Sequence, residues 1–145
     1  MIVLDTTVLI YAVGVEHPYR EPSRQLIDAV RTARLTATTT VEVIQEFLHV
    51  YSRRRTRAEA ATLAGDYATL LSPALVTDVR ALRAGLDLFL AHERLGAFDA
   101  VLAGAAIGAG AGALVSADPA FAGISRLPHV LPDAAGVGAL LGAQS

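Results

Sequence analysis

The first strand of the chain restricts its fold more than any other feature. Ile2-Val3-Leu4 is an unbroken apolar run, stopped by an acid, Asp5, and two threonines, after which apolar residues resume. A strand with one face in water alternates polar and apolar side chains. An unbroken apolar strand is covered on both faces, as in parallel sheets. In open sheets of that kind, functional sites lie outside the carboxyl ends of the strands, and Asp5 stands at such an end.

The rest of the chain supplies the layers. Val8 to Val13 reads as a short helix and "GVEHPY" as a loop. Pro22 suits the first turn of a helix whose stripe of Leu26, Ile27 and Val30 ends near Leu35. "LTATTT" is β-branched and reads as a second strand running into a helix cap. A helix from Val41 to Arg53 buries Val43, Ile44, Phe47, Val50 and Tyr51. Another runs from Arg57 to Leu71 and stops before Pro73. "ALVTD" reads as a weak strand. Val79, Leu82, Leu86, Phe89 and Leu90 mark an amphipathic helix extending to Leu95, followed by a helix from Phe98 to Ala109. "GALVS" and "HVL" read as further strands, and the Ala/Gly-rich tail as a weak helix. Alternating strands and helices give an α/β class with a largely parallel sheet. With no repeat and no linker, residues 1–145 are expected to form one domain.

Composition narrows the chemistry. There is no cysteine, so disulfides, thiolate nucleophiles and zinc knuckles are out, in keeping with a cytoplasmic setting. The first residues lack a basic stretch, and no secretory leader is expected. The chain also has no lysine, which removes P-loop and Schiff-base lysines. A net charge of −2 gives no general pull on nucleic acid, so any such binding needs a local patch or bound cations. Mean hydropathy is high at +0.46, and Ala100 to Ala117 is an uncharged run. Its Ala and Gly content, with Gly108, Gly110 and Gly112 inside it and Asp99 and Asp118 at its borders, argues for a buried helix, a turn and a strand rather than a membrane span.

The acids carry the functional signal. Asp118 repeats the pattern of Asp5, closing the strand "LVSAD". Asp99 begins the helix after "LGAF", and Glu46 lies on the helix after the second strand. Each has an ordinary alternative: a cap for Asp99 and Asp118, a solvated helix position for Glu46. Together they describe converging carboxylates, whose repulsion hard divalent cations relieve. Such a centre can activate water and stabilise the leaving oxygen in phosphodiester cleavage. Glu42 shares a helix face with Glu46, and spacing alone does not choose between them. The four histidines show no zinc spacing, and "GAGAG" precedes a strand, on the wrong side for cradling phosphate.

At this point a resemblance enters. "IVLDTTVLIYAV", "TVEVIQEFLHVYSRR", "LGAFDAVLAGAAIGAGAGALVSADPAF" and "LPHVLPD" resemble the PIN-domain nucleases, and within them the VapC toxins of bacterial toxin–antitoxin pairs. The resemblance spans almost the whole chain. It implies a three-layer α/β/α fold with a central, largely parallel sheet of four to five short strands. It also implies a Mg²⁺- or Mn²⁺-dependent endoribonuclease, a homodimer, and an antitoxin of the VapB kind whose C-terminal segment wraps the toxin. Carried over, Asp5, Glu46, Asp99 and Asp118 are the metal-binding and catalytic acids. Glu46 is chosen over Glu42 because it stands six residues after Thr40. Thr7 replaces a frequent Asn and Ser116 a frequent Thr. Thr6, Thr7, Glu42 and Ser116 are expected to support the acids.

Three further expectations complete the sequence-based view. Arg53, Arg54, Arg55 and Arg57 suit either the helix dipole or RNA phosphates, and RNA with single-stranded loops is the natural substrate. An antitoxin arginine could plug the acidic cleft beside an apolar groove walled by Tyr51, Leu63 and Tyr67. The alternatives are a catalytically silent PIN-like interaction module and a phospho-aspartate enzyme. The latter wants a lysine, or a second acid directly beside Asp5, and the chain has neither.

Overall fold

The computed structural model describes residues 1–144. Four short strands form a parallel sheet: β1 (Ile2–Leu4), β2 (Ala37–Thr38), β3 (Ala113–Val115) and β4 (His129–Val130), in the order β2-β1-β3-β4. Seven helices flank it: α1 (Thr6–Val13), α2 (Arg20–Arg31), α3 (Val41–Tyr51), α4 (Arg57–Leu70), α5 (Val79–Ala91), α6 (Ala97–Gly108) and α7 (Ala134–Gly142). This is the expected PIN-like α/β/α architecture. The apolar strands are central: Val3, Leu4, Leu114 and Val115 have no exposed surface.

The order of the strands places the site. The chain leaves β1 to build β2 on one side and leaves β3 to build β4 on the other, so the connections after the paired strands β1 and β3 part at their carboxyl ends. Ligand crevices in open α/β sheets form at such a switch point. Asp5 follows β1, and Ser116 and Asp118 follow β3. The backbone is stitched there, with the Asp5 amide donating to the Val115 carbonyl at 3.0 Å.

Local chemistry fixes the helix that brings the fourth acid. Thr40 caps α3, its hydroxyl accepting from the Val43 amide at 3.3 Å, and Val43 and Phe47 bury one face. Phe47 lies between Tyr51, stacked at 5.2 Å, and Tyr67, edge-on at 5.1 Å. A reciprocal box between Thr56 and Glu59 opens α4.

Several expectations need correction. "ALVTD" forms no strand: only Leu75 bridges to Thr40, and Val76 is 80% exposed. α2 stops at Arg31 instead of reaching Leu35. Ala33 turns left-handed at φ 56°, and the amides of Arg34 and Leu35 both return to the Ala29 carbonyl, carrying Leu35 into the core. α5 ends at Ala91, and Leu95 is buried through a turn closed on His92.

The largest correction concerns the face of α5. Its stripe of Val79, Leu82, Leu86, Phe89 and Leu90 points outward, and Ala81 and Gly85 point in. Glycines explain the inversion. A Cβ on Gly104 would lie 2.5 Å from the Ala81 carbonyl oxygen, and one on Gly85 would lie 2.7 Å from the Val101 Cα. The two helices meet backbone to backbone, leaving no room between them for large side chains. Ala100 to Ala117 divides into helix, turn and strand as expected, and no helix among the described residues is long and apolar enough to cross a membrane.

Candidate active site

Hydroxyl groups hold two of the four acids. Asp5 is 4% exposed, and its Oδ2 accepts from Ser116 Oγ at 2.7 Å and from Thr7 Oγ1 at 3.0 Å. Both donors are themselves anchored: the Ala117 amide donates to Thr7 Oγ1 at 2.9 Å and the Asp118 amide to Ser116 Oγ at 3.0 Å. Thr6 Oγ1 donates to Glu46 Oε2 at 2.8 Å, tying the first turn of α1 to the middle of α3. Each donor removes rotational freedom from its carboxylate.

Asp118 and Asp99 are held differently. Asp118 Oδ1 accepts from the Ala120 amide at 2.9 Å and caps a short turn over Pro119–Phe121, so its ordinary capping role is present in the geometry. Asp99 is in the first turn of α6, whose N-cap is Gly96, and it caps nothing. No side-chain hydrogen bond reaches it among the described residues. Its carboxyl is pushed up to about 7, first by burial and then by the charges of Asp5, Asp118 and Glu46. The four acids therefore share one electrostatic neighbourhood.

A cavity of about 600 Å³ opens over this neighbourhood, lined by Asp5, Glu46, Asp99 and Glu42, with Val43, Val101 and Leu102 as an apolar wall. Its rim includes Gln45, His49, Thr77 and Phe98. Glu42 reaches the cavity through a separate tie, accepting from Thr77 Oγ1 at 3.1 Å. Among the described residues no three carboxylate or imidazole groups stand at metal-ligand spacing. The donor set is all oxygen, mostly carboxylate, which suits Mg²⁺ or Mn²⁺ and not a soft metal.

Arg53, Arg54, Arg55 and Arg57 do not line this cavity. They are exposed beyond the last turn of α3, and Arg53 Nη2 lies 3.0 Å from His49 Nε2. His49, one of the four histidines without zinc spacing, thus links the arginine run to the cavity. Its place four residues after Gln45 and seven after Glu42 was the available signal. Tyr67 is buried, its hydroxyl donating to the Leu9 carbonyl at 3.1 Å. It touches a groove of about 730 Å³ with Leu63, Leu70 and Ile27. That groove lies between α2 and α4, while Tyr51 and Leu63 line a second hollow between α3 and α4, as expected, which Tyr67 does not reach.

The family model described as PIN domain matches residues 2–127. The chain is 54% identical over 143 residues to Ribonuclease VapC7 of Mycobacterium tuberculosis, covering 98% of this chain and 99% of that protein. It is 35% identical over 102 residues to Ribonuclease VapC23 of the same species, covering 68% and 78% respectively. Its fold matches a chain in the crystal structure of VapBC2 from Rickettsia felis bound to a DNA fragment from their promoter, with a TM-score of 0.70 and 18% identity, covering 90% of this chain and 98% of that one. The chain belongs to the PIN-domain family, and within it to the nucleases of the VapC type.

Proposed function

We propose that the protein is a Mg²⁺- or Mn²⁺-dependent endoribonuclease and the toxin of a VapBC-like pair, acting through Asp5, Glu46, Asp99 and Asp118. One observation carries the site: Asp5, Glu46 and Asp99 line a single cavity, with Asp5 and Glu46 each held by hydroxyl donors, and converging carboxylates of this kind are what a hard divalent cation relieves. When bound, the cation supplies an activated water and neutralises charge on the leaving oxygen. The chain's own residues prepare the rest. Ser116 and Thr7 fix the orientation of Asp5, Thr6 fixes Glu46, and the Ala120 amide fixes Asp118. Thr77 draws Glu42 toward the rim, which favours Glu46 as the acid directed at the metal.

RNA with single-stranded loops suits an open cleft of this kind, because unstacked strands expose their backbone. A strand leaving the cavity past His49 would meet Arg53 and then Arg54, Arg55 and Arg57. A second copy of the chain is the natural cover for the apolar α5 face, where Leu90 is 81% exposed. The antitoxin is proposed to lay apolar side chains in the groove between α2 and α4 and an arginine among the acids. The cytoplasm, where RNA is available, is the proposed place of action. Cleavage of total RNA in Mg²⁺, with and without chelator, tests the function. A protein that cuts equally well in chelator, or not at all in either metal, would not be this enzyme.

A further inference from the structure

Phe98 is 87% exposed, the most exposed large apolar side chain among the described residues. It differs from the other exposed apolar residues of the α5–α6 hairpin. Val79, Leu82, Leu86, Phe89 and Leu90 do not line the acidic cavity, whereas Phe98 does. It immediately precedes Asp99 in the first turn of α6, so the aromatic ring and the acid are carried on one rigid segment. Val43, Val101 and Leu102 continue the apolar surface inward.

A phosphodiester cleft lined by acids has a recognition problem. Before a cation binds it repels the substrate backbone, and no arginine lines it to compensate. Affinity must come in part from a portion of the nucleotide that carries no charge. The bases of a single strand offer this, and an aromatic ring at the edge of the site is the usual kind of surface on which they stack. Gln45 and His49 line the same cavity and carry donors and acceptors that a base edge can use.

Resting on the nuclease function proposed above, we infer that Phe98 is a stacking platform for the nucleobase adjoining the scissile phosphate, a positioning and specificity residue of the cleft. Stacking acts in the bound state as much as in the transition state. Loss of the ring should therefore raise KM and leave kcat nearly unchanged.

The test uses the full-length protein and a short single-stranded RNA carrying 2-aminopurine or an abasic nucleotide at each position in turn. Wild type should quench 2-aminopurine at one position, and an abasic nucleotide there should weaken kcat/KM by about 10-fold to 100-fold. Phe98→Ala should abolish the quench and show the same loss on the intact RNA, with no further loss on the abasic one. Phe98→Trp should restore both. Melting temperature and mass in solution should not change. If Phe98→Ala cuts intact RNA within about 2-fold of wild type, where stacking would cost far more, the inference is wrong. It is also wrong if the variant loses equally on both RNAs, or becomes monomeric from a dimer, since the ring would then be a subunit contact. If wild type cuts no RNA in either metal, the nuclease function fails on its own. The position-specific quench and its loss in Phe98→Ala then decide the stacking role, and an unchanged quench overturns it.

Discussion

Asp5 and Asp99 share a cleft and are held there in opposite ways. Asp5 sits at the end of a central strand, almost fully buried, with Ser116 and Thr7 donating to one of its oxygens. Asp99 sits on a helix at the edge, receives no side-chain donor among the described residues, and carries the repulsion of the other three acids. At the sheet end, hydroxyls just past β3 and in the first turn of α1 reach the carboxylate of Asp5. The first turn of α6 brings no such partner to Asp99. One acid is therefore fixed in place by its donors, and the other takes its charge state from what enters the cleft.

The largest test of this contrast is removal of each charge. Asp5→Asn and Asp99→Asn should each lower RNA cleavage by at least about 100-fold, since even partners behind metal ligands typically contribute 10-fold to 100-fold. Their effects on the fold should diverge. Asp99→Asn relieves repulsion and should melt higher than wild type in chelator at neutral pH. Asp5→Asn sets an amide against two fixed hydroxyls and should melt lower. Melting temperatures that move together would dissolve the comparison.

Metal addition comes next. A cation bound at about 100 times its Kd should add about 2.7 kcal/mol, a rise of several degrees readable by calorimetry. Asp99→Asn should lose most of that gain. A wild-type melting temperature indifferent to millimolar Mg²⁺ and Mn²⁺ would count heavily against the metal site.

The pH profile sharpens the contrast further. The folded pKa of Asp99 is about 7 against an ordinary 3.8, so the folded state holds this proton more tightly than the unfolded chain. The stabilisation is complete below 3.8 and is lost as the pH climbs through about 7. Metal-free protein should thus become easier to unfold across that window, and Asp99→Asn should flatten this part of the curve. Urea midpoints measured in chelator would show it.

The smallest effect belongs to the hydroxyls and the second glutamate. Ser116→Ala should cost about 10-fold in cleavage, with recovery in Ser116→Thr. Glu46→Gln should be far more damaging than Glu42→Gln. The reverse ranking would mean that the wrong glutamate faces the metal.

Much of this was legible in the sequence because it rests on local rules. β1 and β3 are each only three residues long, yet an apolar run ended by an acid marks both. The hydroxyls beside the acids were recognisable as support, although which hydroxyl serves which acid depends on contacts across as many as 111 positions. Spacing could not separate Glu42 from Glu46, because both lie on one helix face. Their partners, Thr77 and Thr6, come from distant segments. "ALVTD" misled because β-branched residues are a strand signal only when a neighbour is there to pair with. The α5 stripe misled because amphipathicity shows that a helix has two faces without showing which one meets the core.

The glycines between α5 and α6 have a consequence for variation. Asp99 rides on α6, and α6 is placed by its contact with α5, where the permitted side chain at Gly104 is a single hydrogen. Gly104→Ala adds one methyl group against the backbone of Ala81 and Gly85 and must push the helices apart. The placement of Asp99 is thereby tied to a position that lines no part of the cleft. A survey of tolerated substitutions should find Gly104 as restricted as the carboxylates themselves, with the failing variants soluble and folded but poorly active.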